Sequence, residues 1–112
     1  MTVITDDYIQ EMLAKSKEYS MVLLKPGPKN TAEGIQEILQ EHVRRNFALS
    51  ADGPLAIVGP VTQETEVSGL SIFNTSLEEA RKIMDEDPAV QAGIFVYEVY
   101  PWRSFPGDKL PE

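Results

Sequence analysis

His42 is the only histidine of the chain and the residue best suited to acid–base chemistry. It follows Ile35 by seven positions and Ile38 by four, so a helix that turns about 100° per residue would place it near the middle of an apolar stripe. An imidazole exchanges protons near neutral pH without help from its surroundings, and an inward-facing His42 could serve as a general base in a cavity. The alternative is a core histidine held by one carbonyl and one carboxylate.

Asp87 is the candidate for the carboxylate that orients this imidazole. An acceptor on one ring nitrogen fixes the tautomer, leaves the other nitrogen free to take a proton, and stabilises the imidazolium that forms. An aspartate before a proline, here Pro88, is also a common helix N-cap, because its oxygen accepts from the first amides of the helix. Taken alone, the Asp-Pro pattern favours the N-cap, and only folding could bring Asp87 to His42.

Three further residues are candidates for contact with a substrate: Arg45, Gly59 and Pro60. Arg45 lies on the border of the apolar stripe, where it could pair with an acidic neighbour or with a substrate carboxylate, and we favour a position at the surface. Gly59 and Pro60 are expected to end a strand beside the cavity, where glycine would permit the close approach of a ligand or of backbone. A plain strand terminator is an equally good interpretation.

Composition excludes several classes of function. With 112 residues, of which 42% are hydrophobic, the chain fits one domain with a packed core. The 18 acidic against 10 basic side chains disfavour nucleic-acid and anionic-membrane surfaces, which need a positive field. The absence of cysteine excludes disulfides, thiolate zinc sites and a thiol nucleophile, and one histidine excludes a multi-histidine metal cluster. No secretion signal or long apolar run is present, and we therefore expect a cytoplasmic protein.

The hydrophobic periodicity and the capping residues predict the elements that must position these side chains. In chain order they are a helix over 6–17 with Thr5 as N-cap, a strand over 19–24, a helix over 31–49, strands over 55–58 and 70–73, a helix opened by Ser76 and Glu79 and closed by Asp87-Pro88, and a strand over 93–101. Behind the first helix this is the split βαβ order of ferredoxin-like α+β folds. We therefore predict an α+β domain over 19–102, between a helical extension over 1–18 and a tail over 103–112.

The predicted strands carry apolar residues at consecutive positions, and therefore on both faces, as residues 21–24 and 55–58 show. Such runs indicate burial on both faces of the sheet, whereas two crossover helices cover only one face. Either a second copy of the chain or the N-terminal helix must cover the other face. We favour a homodimer, because a short helix covers a four-stranded sheet poorly and twofold homodimers are the commonest oligomers.

Several segments resemble the YCII-related family. They are the Gly-Pro-Leu-Ala-Ile-Val-Gly-Pro run over 53–60, Phe73 followed by Ser-Leu-Glu-Glu-Ala over 76–80, and Asp-Pro-Ala-Val-Gln-Ala-Gly over 87–93. His42 precedes Gly59 by the seventeen positions that separate the family's helix histidine from its Gly-Pro, and Asp87-Pro88 matches its Asp-Pro. The resemblance covers about residues 19–102, and the helix before them departs from the family pattern.

This resemblance implies a dimeric ferredoxin-like α+β barrel with a His and Asp pair, here His42 and Asp87, as catalytic centre. Some members of the family are cofactor-free enzymes that act on ring compounds, including a dehydrochlorinase of hydroxyquinols. We therefore expect a lyase or isomerase that needs no cofactor and no metal, with a small-molecule ligand and a second copy of the chain as its partners. One alternative is a non-catalytic ligand-binding or assembly module with a structural histidine. Another makes His42 the axial ligand of a haem, as in some distantly similar α+β barrels.

Overall fold

The computed structural model describes residues 1–112 and has four helices and four strands. The helices are α1 (Asp6–Lys15), α2 (Gln36–Asp52), α3 (Leu77–Asp85) and α4 (Pro88–Gln91), and the strands are β1 (Lys17–Pro26), β2 (Leu55–Pro60), β3 (Gly69–Phe73) and β4 (Phe95–Ser104). The strands form one sheet in the order β2-β3-β1-β4, and every neighbouring pair is antiparallel. The predicted ferredoxin-like α+β fold is confirmed.

The N-caps predicted for the first and third helices are confirmed. The hydroxyl of Thr5 accepts from the amide of Tyr8 at 3.2 Å, and the hydroxyl of Ser76 accepts from the amide of Glu79 at 3.1 Å. Each hydroxyl satisfies one of the amides that the first turn of a helix leaves without a partner. These caps place the starts of α1 and α3 where the sequence predicted them.

Several element bounds differ from the prediction. The helix α2 begins at Gln36 rather than at position 31, because the residues before it turn through Gly34, whose φ is +76°. The strands β1 and β4 are longer than predicted, since they pair from Lys17 with Ser104 to Pro26 with Phe95. The helix α4 was not predicted as a separate element: Asp87-Pro88 ends α3 as expected, but it also begins a further single turn.

The core lies between the sheet and the layer formed by α2, α3 and α4. Its buried side chains are Val22, Leu55, Phe73, Ala80, Met84 and Val99. Because Val22 faces these helices and side chains alternate along a strand, Met21 and Leu23 lie on the opposite face, together with Ile72, the register partner of Met21. That second face carries no helix.

The helix α1 does not cover the second face of the sheet. None of its residues is buried, and Ile9 and Leu13 of its predicted apolar stripe are 45% and 57% exposed. A single residue, Ser16, links α1 to β1, and α1 makes no extensive contact with any strand of the sheet. Of the two covers that the sequence left open, the N-terminal helix of the same chain is therefore ruled out.

Candidate functional site

His42 and Asp87 meet beneath the sheet. The inward face of α2 supplies His42, the junction between α3 and α4 supplies Asp87, and their exposed fractions are 9% and 1%. The distance from Nδ1 of His42 to Oδ2 of Asp87 is 2.7 Å. The His42 ring also lies against the ring of Phe95, with 5.3 Å between the centroids and 48° between the planes. The ring is thus held on one edge by a charge and on one face by an aromatic side chain.

Asp87 fills both of the roles that the sequence set against each other. Its Oδ1 accepts from the amides of Ala89 at 2.8 Å and Val90 at 3.3 Å, which makes it the N-cap of α4. Its Oδ2 faces His42. A carboxylate has acceptor sites on both oxygens, so capping a helix and orienting an imidazole do not compete. The cap holds the carboxylate in place for the imidazole.

The electrostatics of the pair decide which nitrogen of His42 carries the hydrogen. Burial raises the pKa of Asp87, but the hydrogen bond and positive charge of His42 and the amides of Ala89 and Val90 outweigh it, and the pKa lies below its ordinary value of 3.8. Asp87 is therefore a carboxylate at neutral pH and can only accept, so Nδ1 of His42 donates. In the neutral ring, Nε2 is then unprotonated, which is the form that a general base requires.

The ring lines a cavity of about 390 Å³ between α2 and the β2-β3 edge of the sheet. Most of its walls are apolar, and they include Leu24, Leu39, Val43, Val58, Leu70 and Phe95. Its polar side chains are His42, Asn46, Ser68 and Ser71. A mostly apolar hollow of this size with a few convergent polar groups is typical of small-molecule sites. Two other hollows, of about 490 and 480 Å³, have mainly polar walls and contain neither His42 nor Asp87.

Gly59 and Pro60 both line this cavity. The strand β2 ends at Pro60, as predicted. Pro60 pairs with Gly69, and β2 tolerates a proline because it is an edge strand. A Cβ atom on Gly59 would meet nothing within 4 Å, so no crowding requires glycine there. The backbone is crowded instead at Gly69 on the neighbouring strand β3, where a Cβ atom would be 3.1 Å from the Gly59 carbonyl oxygen. Contact of Gly59 and Pro60 with a substrate stays a prediction.

Arg45 lies only partly at the surface, and of the partners that the sequence left open it approaches the acidic neighbour. Its side chain is 24% exposed, Nη2 donates to the carbonyl of Ile83 at 2.8 Å, and Nη1 lies 3.6 Å from Oδ2 of Asp87. At the border of the apolar stripe, Arg45 comes to lie over α3 and its junction with α4, where an acidic group and a carbonyl are in reach. Its neighbour Arg44 is solvated as predicted, 66% exposed and paired only with Glu41. Arg45 does not line the cavity, and its contact with a substrate stays a prediction.

Asn46 belongs to the site although its chemistry was not predicted. Its Nδ2 lies 3.4 Å from Nε2 of His42, and both side chains line the cavity. The signal in the sequence was the spacing of four residues, which places the two side chains on the same face of a helix. An asparagine on an otherwise apolar stripe therefore indicated a polar neighbour for His42.

The structure brings together no group of three or more His, Cys, Asp or Glu side chains that could hold a metal ion. None of its helices combines the length and the apolar composition that crossing a membrane requires.

Comparison with known proteins agrees with this architecture. The structure is similar to that of 5-chloro-2-hydroxyhydroquinone dehydrochlorinase from Burkholderia phenoliruptrix AC1100 in complex with 2,5-dihydroxybenzoquinone, with a TM-score of 0.57 and 16% identity. The match covers 74% of this chain and 92% of that chain. At this identity the similarity shows a shared fold and nothing more specific. No curated protein sequence matches. Residues 12–103, which include His42 and Asp87, match the family model of the YCII-related domain, and the chain belongs to that family.

Proposed function

We propose that the protein is a small enzyme that needs no cofactor and uses His42 and Asp87 to move a proton on a small, ring-containing substrate. The observation that carries this proposal is the geometry of the pair. A buried, ionised carboxylate holds Nδ1 of His42 at 2.7 Å, and the ring lines an apolar cavity of about 390 Å³. These are the parts that a general base needs: a fixed tautomer, a stabilised conjugate acid and room for a substrate.

In the proposed reaction, Nε2 takes a proton from a hydroxyl or an acidic C–H group of the substrate. The electron pair of the broken bond stays on the substrate as an enolate or phenolate, and Asp87 stabilises the imidazolium. The anion can expel a leaving group with its electron pair while the imidazolium gives its proton to the leaving group or to water, which makes the enzyme a lyase. Alternatively it takes the proton back at another atom, which makes the enzyme an isomerase. The fold likeness to a dehydrochlorinase bound to 2,5-dihydroxybenzoquinone supports a ring substrate.

The charges around the cavity support an uncharged substrate. The guanidinium of Arg45 is engaged by the Ile83 carbonyl and by Asp87 and does not line the cavity. No lysine or arginine lines it either, so a substrate carboxylate would lose its hydration without a cation to replace it. A neutral ring with a hydroxyl group fits the apolar walls and finds its polar partner in His42.

We also propose that the protein is a homodimer joined through the second face of the sheet. That face includes Met21, Leu23 and Ile72, and neither α1 nor any other helix lies over it. Met21 and Leu23 are partly exposed, and Tyr100, the register partner of Met21 on β4, is 41% exposed. An apolar sheet face that no helix covers favours association. A second copy would cover it symmetrically, as twofold interfaces do.

A non-catalytic ligand-binding module is the second candidate function. It is favoured by one observation: every buried side-chain nitrogen and oxygen atom already has a hydrogen-bond partner within the chain. His42 and Asp87 are thus satisfied as a structural pair, and a cavity alone does not require turnover.

An NMR titration of His42 comes first. For an enzyme we expect ring resonances that move with pH and again when the uncharged probe hydroxyhydroquinone is added, and a ring that responds to neither would indicate a purely structural histidine. Because His42 lines the cavity, a ligand-binding module would also respond to the probe, and turnover then separates it from an enzyme. Turnover is then assayed on chlorinated hydroxyhydroquinones with the wild type, His42→Ala, Asp87→Asn and, as a control, Arg44→Ala. The proposal is abandoned if His42→Ala and Asp87→Asn both keep wild-type ligand binding and turnover.

A further inference from the structure

We infer that Asn46 positions the substrate beside His42 and selects ligands that carry oxygen atoms on two neighbouring carbons, as an enediol, an α-hydroxyketone or an ortho-dihydroxy ring does. The inference rests on the proposed function, because it takes Nε2 of His42 as the atom that accepts the proton.

Asn46 lies beside His42 in the cavity. It follows His42 by one turn of α2, it is half-buried, and it lines the same cavity. Because Asp87 holds Nδ1, the ring nitrogen nearest to Asn46 is the unprotonated Nε2, at 3.4 Å from Nδ2 of the amide. A nitrogen without a hydrogen can only accept, so the amide donates to it. Asn46 therefore occupies the place at which a substrate hydroxyl must bind.

The contact between Asn46 and His42 is weak and leaves most of the amide without a hydrogen-bond partner. A separation of 3.4 Å is longer than the usual hydrogen bond, so little is lost when a substrate replaces it. The side chain of Asn46 makes no other hydrogen bond within the protein. An amide carries two N–H donors and one carbonyl acceptor, and all of them become available to a ligand once the contact with His42 is broken.

The rest of the cavity offers few other polar side chains. Its walls are mostly apolar, and its other polar side chains besides the His42 and Asn46 pair are two serines on or before β3, Ser68 and Ser71. A ligand that binds in the cavity thus finds an acceptor and an amide next to each other. A hydroxyl on one carbon can donate to Nε2 while an oxygen on the neighbouring carbon accepts from Asn46. When the hydroxyl loses its proton, the neighbouring amide can also donate to the oxygen that then carries the charge.

Two neutral probes of identical composition test whether Asn46 selects ligands with oxygen atoms on neighbouring carbons. Catechol has its oxygens on neighbouring carbons, and hydroquinone has them on opposite sides of the ring. Each is titrated into the wild type, Asn46→Leu and Asn46→Ala, with Arg44→Leu on the exposed side of α2 as the control, and binding is followed by the His42 ring resonances. The leucine is close to asparagine in size but makes no hydrogen bond, and the alanine is a second variant in case the leucine distorts the wall.

We expect the wild type and Arg44→Leu to bind catechol about tenfold more tightly than hydroquinone, which corresponds to one hydrogen bond. In Asn46→Leu and Asn46→Ala the ratio should fall to about one, with the weakening confined to catechol. If both variants keep the wild-type preference, the inference about Asn46 is overturned and the proposed function stands. If neither probe moves the His42 ring of the wild type, the proposed function and the inference fall together.

Discussion

Nη1 of Arg45 lies 3.6 Å from Oδ2 of Asp87, the same oxygen that accepts the hydrogen bond of His42. The guanidinium is itself held by the carbonyl of Ile83, to which Nη2 donates at 2.8 Å. One side chain of α2 thus contacts both the Asp87 carboxylate and the last part of α3. Arg45 therefore lies against the pair, even though its sequence position suggested the surface.

We expect Arg45→Met to lower the free energy of unfolding by about 1–3 kcal/mol, because the Ile83 carbonyl and Asp87 each lose a partner in a partly buried place. Arg44→Met is the matched control, and it should change the free energy by less than about 0.5 kcal/mol because Arg44 is solvated. Urea unfolding measures both. Equal losses in the two variants would mean that the contacts of Arg45 contribute no stability.

Asp87→Asn should fold and lose turnover. The amide oxygen can still accept from Ala89 and cap α4, but the amide nitrogen now donates toward Nδ1 of His42, which forces the hydrogen onto Nε2. We expect turnover to fall by about 10²- to 10⁴-fold, the usual contribution of a general base. Nitrogen chemical shifts of His42 report the tautomer directly, and a hydrogen that remains on Nδ1 in the variant would contradict this account.

The stability of the protein should depend on Asp87 in acid. The pKa of this carboxyl is lower in the folded state than its ordinary 3.8, so the unfolded chain binds its proton first as the pH falls. Its contribution is fully present above that ordinary value and is lost as the pH drops through the lower, folded-state pKa. Unfolding free energies of the wild type and Asp87→Asn, measured from neutral pH to pH values well below 3.8, should therefore converge at the acid end. A constant difference over the whole range would show that the hydrogen bonds of the carboxylate do not depend on its charge.

The backbone of Gly27 lies too close to Gly93 for any side chain. Its amide donates to the Ile94 carbonyl at 2.8 Å, and a Cβ atom on Gly27 would overlap the Gly93 carbonyl oxygen. Because both groups are backbone, Gly27→Ala should cost about 1–3 kcal/mol or more, as overpacking does. Gly59→Ala, whose methyl group would meet open space, should cost almost nothing, and thermal unfolding of the pair compares them.

A charge on the second face of the sheet should separate the proposed dimer. Leu23→Glu places a carboxylate in the middle of the interface without touching the core beneath the helices, and we expect a monomer by sedimentation. Gln40→Glu adds the same charge on the exposed side of α2 and should leave the mass unchanged. A wild-type protein that sediments as a monomer at micromolar concentration would end the dimer proposal.

The order of the elements and two of the helix starts could be read from the sequence, because each depends on residues within one turn of each other. Ser76 caps α3 through the amide of Glu79, and the spacing from Ile35 to His42 turns the imidazole inward wherever the helix lies. The long pairing of β1 with β4 could not be read, since its length depends on a partner far along the chain.

Only the tertiary structure decided what surrounds His42. The Asp-Pro pattern predicts an N-cap for Asp87 but says nothing about its second oxygen, whose partner lies in another helix. The same holds for Arg45, which looked like a surface residue until α2 was packed against α4, where the side chain reaches Ile83 of α3 and Asp87. It also holds for the cavity, which exists only between α2 and the sheet. Short-range hydrogen bonds and hydrophobic periodicity involve residues that are close in sequence, and they can therefore be predicted from it. Contacts between elements depend on how the sheet and its crossover helices bring distant residues together.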